Sequence, residues 1–182
     1  MDAHFVPNLS FGPDVVALAR KVAPDFWRHV HLMMTRPDLY LEKFRDAGAQ
    51  TIQIHVEADV DVHRELKRIE AMGVKSALAL NPETPAEAVF PYLKETREIL
   101  VMTVHPGYGG QKFIPECLPK IAAIRKRAPE IDLMVDGGVN GETAILAAEA
   151  GANQFVAGSY LFKQPDMKAA VAAMRRDLAR CP

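Results

Sequence analysis

Short apolar runs alternate along this chain with helical patterns at a near-constant spacing, and that rhythm limits the folds open to it. The runs are RHVHLMM (28–34), TIQIHVEA (51–58), VKSALALN (74–81), EILVMTVHPG (98–107), IDLMVDGG (131–138) and NQFVAGS (153–159). Helical patterns lie between and after them, near 37–47, 60–72, 84–95, 115–128, 141–150 and 166–180. Three of the helices end in DAGA, AMGV or EAGA, where Gly48, Gly73 or Gly151 can cap the last turn before a new strand. The repeat is roughly 22–32 residues, the size of a strand–helix unit whose helix crosses over to a parallel neighbour. Six strands fit two architectures. An open doubly wound sheet can use six. A closed (β/α)₈ barrel needs eight and typically about 250 residues.

Composition narrows the function classes. With 182 residues and 49% hydrophobic content, the chain suits one domain with a substantial core. The net charge is −1 with both signs scattered, which argues against a nucleic-acid or anionic-membrane partner. No apolar stretch approaches the ~18–20 residues of a membrane span. The start lacks the basic and apolar regions of a signal peptide. Cys117 and Cys181 match no zinc or redox spacing and read as reduced thiols, so a cytoplasmic chain is expected.

In parallel α/β folds, ligands bind where the strands end. Three strand ends here are rich in glycine. VMTVHPGYGGQ carries Gly107, Gly109 and Gly110, MVDGGVN carries Asp136, Gly137 and Gly138, and FVAGSYLF carries Gly158 and Ser159. Each alone also reads as a turn. Together they bring several backbone N–H groups towards one point, which is the chemistry of a phosphate site. Asp136 has the placement of a catalytic carboxylate. RHVHLMM sets His29, His31 and Met33 on one side of a strand. That is a candidate metal position, or a set of hydrogen-bonded core residues. His55 and Glu57 form a similar pair on the next strand, and His63 lies on a solvent-facing helix.

Taken in order, MDAHFVPNLSFGP, VHLMM, LNPETP, VMTVHPGYGGQKF, VDGGVN and VAGSYLF resemble the ribulose-phosphate 3-epimerase family from residue 1 to about 165. The resemblance implies a (β/α)₈ TIM barrel. It implies an isomerase of pentose phosphate metabolism that interconverts D-ribulose 5-phosphate and D-xylulose 5-phosphate. A proton is removed at C3 and another returned, through an enediolate, by two aspartates on opposite faces of the sugar. One divalent metal ion (zinc, iron, manganese or cobalt) on two His and two Asp is implied as cofactor. Carried over, His31 matches a metal His, and Asp136 a metal ligand that is also an acid/base. Gly107, Tyr108, Gly109 and Gly110 match the loop over the substrate. Gly137, Gly138, Gly158 and Ser159 match the phosphate contacts, and Met33 and Met102 match methionines that shield the enediolate. A ketose phosphate is the implied partner, and a homo-oligomer is compatible with the family.

The chain departs from the family pattern in three places. Ala3 stands where the family favours Gly, and His105 where it favours Asn or Glu. MDAHFVPN matches a loop that, in the family, follows a second strand of the type H-x-D-V. The expectation is therefore a partial barrel holding strands three to eight. The first strand, first helix and second strand, with one His and one Asp of the site, would lie before Met1, as in an N-terminally truncated reading of the gene. Impaired activity is expected of such a chain. The other readings are a catalytically poor phosphate-binding or regulatory paralogue, one completed by a partner chain, or an epimerase for another ketose phosphate such as allulose 6-phosphate.

Overall fold

The computed structural model describes residues 1–181. Among them, six parallel strands form one sheet: β1 (His29–Leu32), β2 (Thr51–His55), β3 (Lys75–Leu80), β4 (Glu98–Met102), β5 (Asp132–Asp136) and β6 (Gln154–Val156). Their order in space is their order in sequence. A doubly wound sheet reverses strand order at a switch point. This one never does, so the six strands form a half-barrel α/β fold. Within the described residues, β1 and β6 each have a ladder on one side only.

The helices are α1 (Pro13–Val22), α2 (Leu41–Ala47), α3 (Val62–Ala71), α4 (Leu118–Arg127), α5 (Gly141–Glu149), α6 (Gly158–Phe162) and α7 (Met167–Leu178). Their ends follow local chemistry. The Asp61 side chain accepts the Arg64 N–H at the start of α3, and Asp166 accepts that of Ala169 at α7. Gly48 closes α2 at φ +106°, a left-handed conformation that glycine adopts freely.

Several expectations need correction. All six strands are shorter than their apolar runs, because each run continues into the loop beyond the sheet. Met33 therefore lies past the end of β1 rather than on it. The segment near 84–95 is a 3₁₀ run (Ala86–Tyr92) with Pro91 inside it, not an α-helix. Helix α1 was not expected. It has no buried residue, and Val15, Leu18 and Val22 stay exposed, so no strand–helix rhythm marks it.

β2 shows why the alternation matters. Apolar Ile52 and Ile54 alternate with polar Thr51, Gln53 and His55, the pattern of a strand with one wet face. All five residues are buried. Ile52, Ile54, Leu78, Leu80, Ile99, Val101, Leu133 and Val135 share a core with Phe44, Leu66, Ile69, Ile121 and Ile124 of the helices. Each fully buried Leu or Ile contributes about 1.5–3 kcal/mol. The opposite face lines the concave side of the curved sheet. Ala79, Leu100, Met102 and Met134 form a second apolar cluster there.

Polar groups on that concave face must find partners. At its lower end, Glu98 is fully buried and accepts the Gln53 amide at 2.5 Å. Lys75 Nζ lies 3.3 Å from Glu98 and 2.8 Å from Asp132, and His29 Nε2 lies 3.3 Å from Glu98. Removing one partner of a buried pair leaves a charge uncompensated. Lys75→Met is expected to cost about 3 kcal/mol in urea unfolding. Adding Glu98→Gln to the same chain should recover most of that loss.

Candidate active site

At the upper end of the concave face, the strand-ending loops enclose a cavity of about 240 Å³. Met33, Met102, Gly107, Tyr108, Gly109, Gly110, Asp136, Gly137, Gly138, Gly158 and Ser159 all line it. Of the residues singled out in the sequence, His29, His31, His55 and Glu57 are not in this wall. His31 stands in the wall of a second groove, about 640 Å³, which runs along the free edge of β1. Met1 lines both spaces.

The two regions meet at Asp136. His31 Nδ1 is 4.0 Å from Asp136 Oδ2. Imidazole plus carboxylate is a donor set for zinc, iron, manganese or cobalt. The pair therefore fits as two ligands of a divalent site. Among the described residues, no cluster of three or more His, Cys, Asp or Glu is placed to hold an ion. His29, grouped with His31 in the sequence, is engaged with Glu98 instead. Burial, reinforced by neighbouring His55, holds the His31 pKa well below its usual value, so the ring is neutral with a lone pair to offer. Burial pushes the Asp136 pKa up to about 6, with no neighbouring cation to oppose it.

The loop backbone is shaped by close packing. Gly138 sits at φ +64°, and a Cβ there would come within 2.6 Å of the Phe113 Cα. Asn140 caps α5 through the N–H groups of Glu142 and Thr143. The Thr143 hydroxyl accepts the Asn140 N–H and donates to the Gly138 carbonyl at 3.0 Å. This capping box pins the Gly137–Gly138 turn to the helix. Gln111 holds the glycine-rich loop from inside, donating to the carbonyls of His105 (2.7 Å) and Tyr108 (2.9 Å). His105 itself pairs with Glu83 at 2.7 Å on the neighbouring loop.

The first eight residues cover part of the same mouth. Asp2 accepts the backbone N–H groups of His4, Phe5 and Thr35 at 2.8–2.9 Å. Burial opposes its ionisation, but those N–H groups outweigh burial and hold its carboxyl below the usual range. Asn8 donates to the Gly107 carbonyl at 2.9 Å. Phe5 packs its ring 4.6 Å from that of His55. His55 and Glu57, which the sequence showed only as a pair on one face, are hydrogen-bonded at 3.0 Å. His55 Nε2 in turn lies 2.8 Å from His31 Nε2. Sequence reading missed Phe5, Asn8 and this histidine contact, because each joins segments distant in the chain.

With that geometry described, comparison with known proteins is informative. The profile of the ribulose-phosphate 3 epimerase family matches residues 1–162. The chain belongs to that family. The ribulose-phosphate 3-epimerase of Bacillus subtilis (strain 168) is 46% identical over 180 residues, covering 96% of this chain and 82% of that protein. The cytoplasmic isoform of Oryza sativa subsp. japonica is 42% identical over 182 residues, covering 98% and 79%. Membership makes the chain an isomerase of the epimerase type. Among solved structures, 3-keto-L-gulonate-6-phosphate decarboxylase from Vibrio cholerae O1 matches with a TM-score of 0.72 at 14% identity, over 94% of this chain and 80% of that one. That likeness shows the barrel-type α/β fold. Among the described residues, no helix is long and apolar enough to cross a membrane.

Two outcomes follow for this epimerase. An Asp in an unfolded chain titrates near ~3.9, so the native state holds the Asp136 proton more tightly than the unfolded state does. That stabilising contribution is complete below pH ~4 and is lost as pH rises through about 6. In metal-free protein at pH 8, Asp136→Asn is expected to be more stable than the parent by roughly 2–3 kcal/mol. The difference should close towards pH 4, and urea unfolding at both pH values measures it. Ala3 is the one non-glycine residue with positive φ among the described residues, at +62°. Ala3→Gly removes that strain and should raise stability by about 1 kcal/mol in the same assay.

Proposed function

We propose that the chain carries the 3-epimerase chemistry of its family on a ketose phosphate, interconverting D-ribulose 5-phosphate and D-xylulose 5-phosphate. The observation that carries this reading is the convergence of His31 and Asp136, 4.0 Å apart, at the rim of a glycine-lined cavity. Gly137, Gly138, Gly158 and Ser159 take the phosphate end, since exposed glycine backbone can approach an anion closely. The Gly107–Gly110 loop lies over the sugar, with Tyr108 exposed above it.

Asp136 removes or returns the C3 proton on one face of the substrate. Its raised pKa suits a group that must both accept and donate near neutral pH. His31 and Asp136 would hold a divalent ion, which would supply Lewis-acid stabilisation of negative charge developing on the ketone oxygen. Met33 and Met102 give that charge a wall without water or a competing proton donor.

Epimerisation needs a second acid/base on the opposite face. Asp2 is the nearest aspartate in sequence to the expected position, but three backbone N–H groups occupy its carboxyl. The second base and the remaining ligands are assigned to two further strands seated between the free edges of β1 and β6. Those strands would complete a (β/α)₈ barrel in which β1–β6 are strands three to eight. Residues 1–182 by themselves are accordingly expected to epimerise ~10²–10⁴-fold more slowly than a completed barrel.

One base suffices to exchange a proton on its own face. In deuterium oxide, the chain with added Zn²⁺ or Mn²⁺ should replace the C3 hydrogen of one ketose epimer, seen as loss of its proton NMR signal. Asp136→Asn should slow that exchange by ~10²–10⁴-fold. Undiminished exchange in the variant would sink the assignment.

A further inference from the structure

A chain of hydrogen bonds runs inward from His31 and ends on a carboxylate that the mechanism above does not use. Glu57 Oε1 accepts the Asn81 backbone N–H at 2.8 Å and the Thr84 hydroxyl. Its other oxygen, Oε2, lies 3.0 Å from His55 Nδ1. His55 is fully buried, and its Nε2 lies 2.8 Å from His31 Nε2. The two rings are nearly coplanar, 16° apart with centroids 4.9 Å apart, so they meet edge to edge rather than face to face. On its far side, His31 Nδ1 looks across 4.0 Å to Asp136.

With one hydrogen on each ring, this wiring allows one placement of protons. A carboxylate can only accept, so His55 Nδ1 carries the hydrogen that faces Glu57. A neutral His55 then has a bare Nε2, which must accept. His31 therefore donates from Nε2, and its lone pair is left on Nδ1, pointing at Asp136. The opposite polarity would set the bare Nδ1 of His55 against the Glu57 carboxylate, two acceptors at 3.0 Å. The outer partner of a ligating histidine commonly sets its tautomer and orientation.

We propose that Glu57 and His55 are positioning residues that hold His31 as its Nε2–H tautomer and present Nδ1 to a divalent cation beside Asp136. The proposal rests on the reading of His31 and Asp136 as cation ligands. Phe5 packs against the relay at His55, so the N-terminal loop also fixes the ring that orients His31.

Glu57→Gln tests it. The Gln oxygen can keep the Asn81 and Thr84 hydrogen bonds, which turns its NH₂ towards His55 Nδ1. The relay must then run backwards, with His55 donating from Nε2 and the His31 hydrogen moved to Nδ1. Long-range ¹H–¹⁵N NMR of the histidine rings reads both tautomers in metal-free protein, and a Zn²⁺ titration followed at the His31 signals reads the affinity. The expected result is Nε2–H on His31 in the parent and Nδ1–H in Glu57→Gln, with Zn²⁺ binding weakened ~10–100-fold. Glu57→Asp, which keeps an acceptor, should retain the parental tautomer. Nδ1–H on His31 in the parent overturns the proposal without recourse to any variant. If the parent binds Zn²⁺ at His31 but Glu57→Gln neither moves the hydrogen nor weakens binding, the positioning role alone is overturned. If the tautomers behave as expected and the parental His31 signals ignore Zn²⁺, the cation reading fails and takes the proposal with it.

Discussion

The central strands β2, β3 and β4 are buried on both faces, Lys75 alone partly exposed, and nearly every other feature of this protein answers to that constraint. A strand residue has a choice between the helix-covered face and the concave face, and neither offers bulk water. Apolar side chains can fill either. Polar ones are tolerated only where a partner waits, since an unpaired buried polar group costs about 1–3 kcal/mol. The concave face is therefore sorted into layers. Glu98 with Gln53, Lys75 and His29 closes the bottom. Ala79, Leu100 and Met134 fill the middle. His55, His31 and Asp136 reach the top, where the loops open into the cavity.

The apolar middle layer separates two polar systems with different character. In the lower one, Lys75 bridges two carboxylates. In the upper one, Asp136 has no cation beside it, and in the proposed tautomer His31 turns a lone pair towards it. Two acceptors set face to face are an unstable arrangement in isolation, and they become a stable one with a cation or a proton between them. Burial raises the Asp136 pKa, and His31 Nδ1 4.0 Å away gives the proposed pair its capacity to bind a positive charge.

Much of the fold was legible because it is local. The strand–helix rhythm, the Gly48, Gly73 and Gly151 stops and the glycine-rich strand ends are each written within a few residues. The loops carrying Gly107, Asp136 and Gly158 could be gathered at one end by topology alone, and they do share one cavity. Helix α1 is not marked by that rhythm, because it buries no residue fully and only Val16 packs against the core. The relay from Glu57 to His31 escaped for a different reason. It joins β1, the end of β2 and the loop after β3, and only sheet register brings those segments together.

The sequence by itself determined the fold class, the family and the residue types at the strand ends. Those properties depend on spacing along one chain and on motif order. The tertiary structure decided how two acidic residues near the mouth differ, since backbone N–H groups hold the Asp2 carboxyl ionised and burial raises the Asp136 pKa. It also decided which histidine lies beside Asp136. The reason is physical. A hydrogen bond or a pKa depends on atoms within a few ångströms in space, and residues 31, 55, 84 and 136 become neighbours only once the strands have paired.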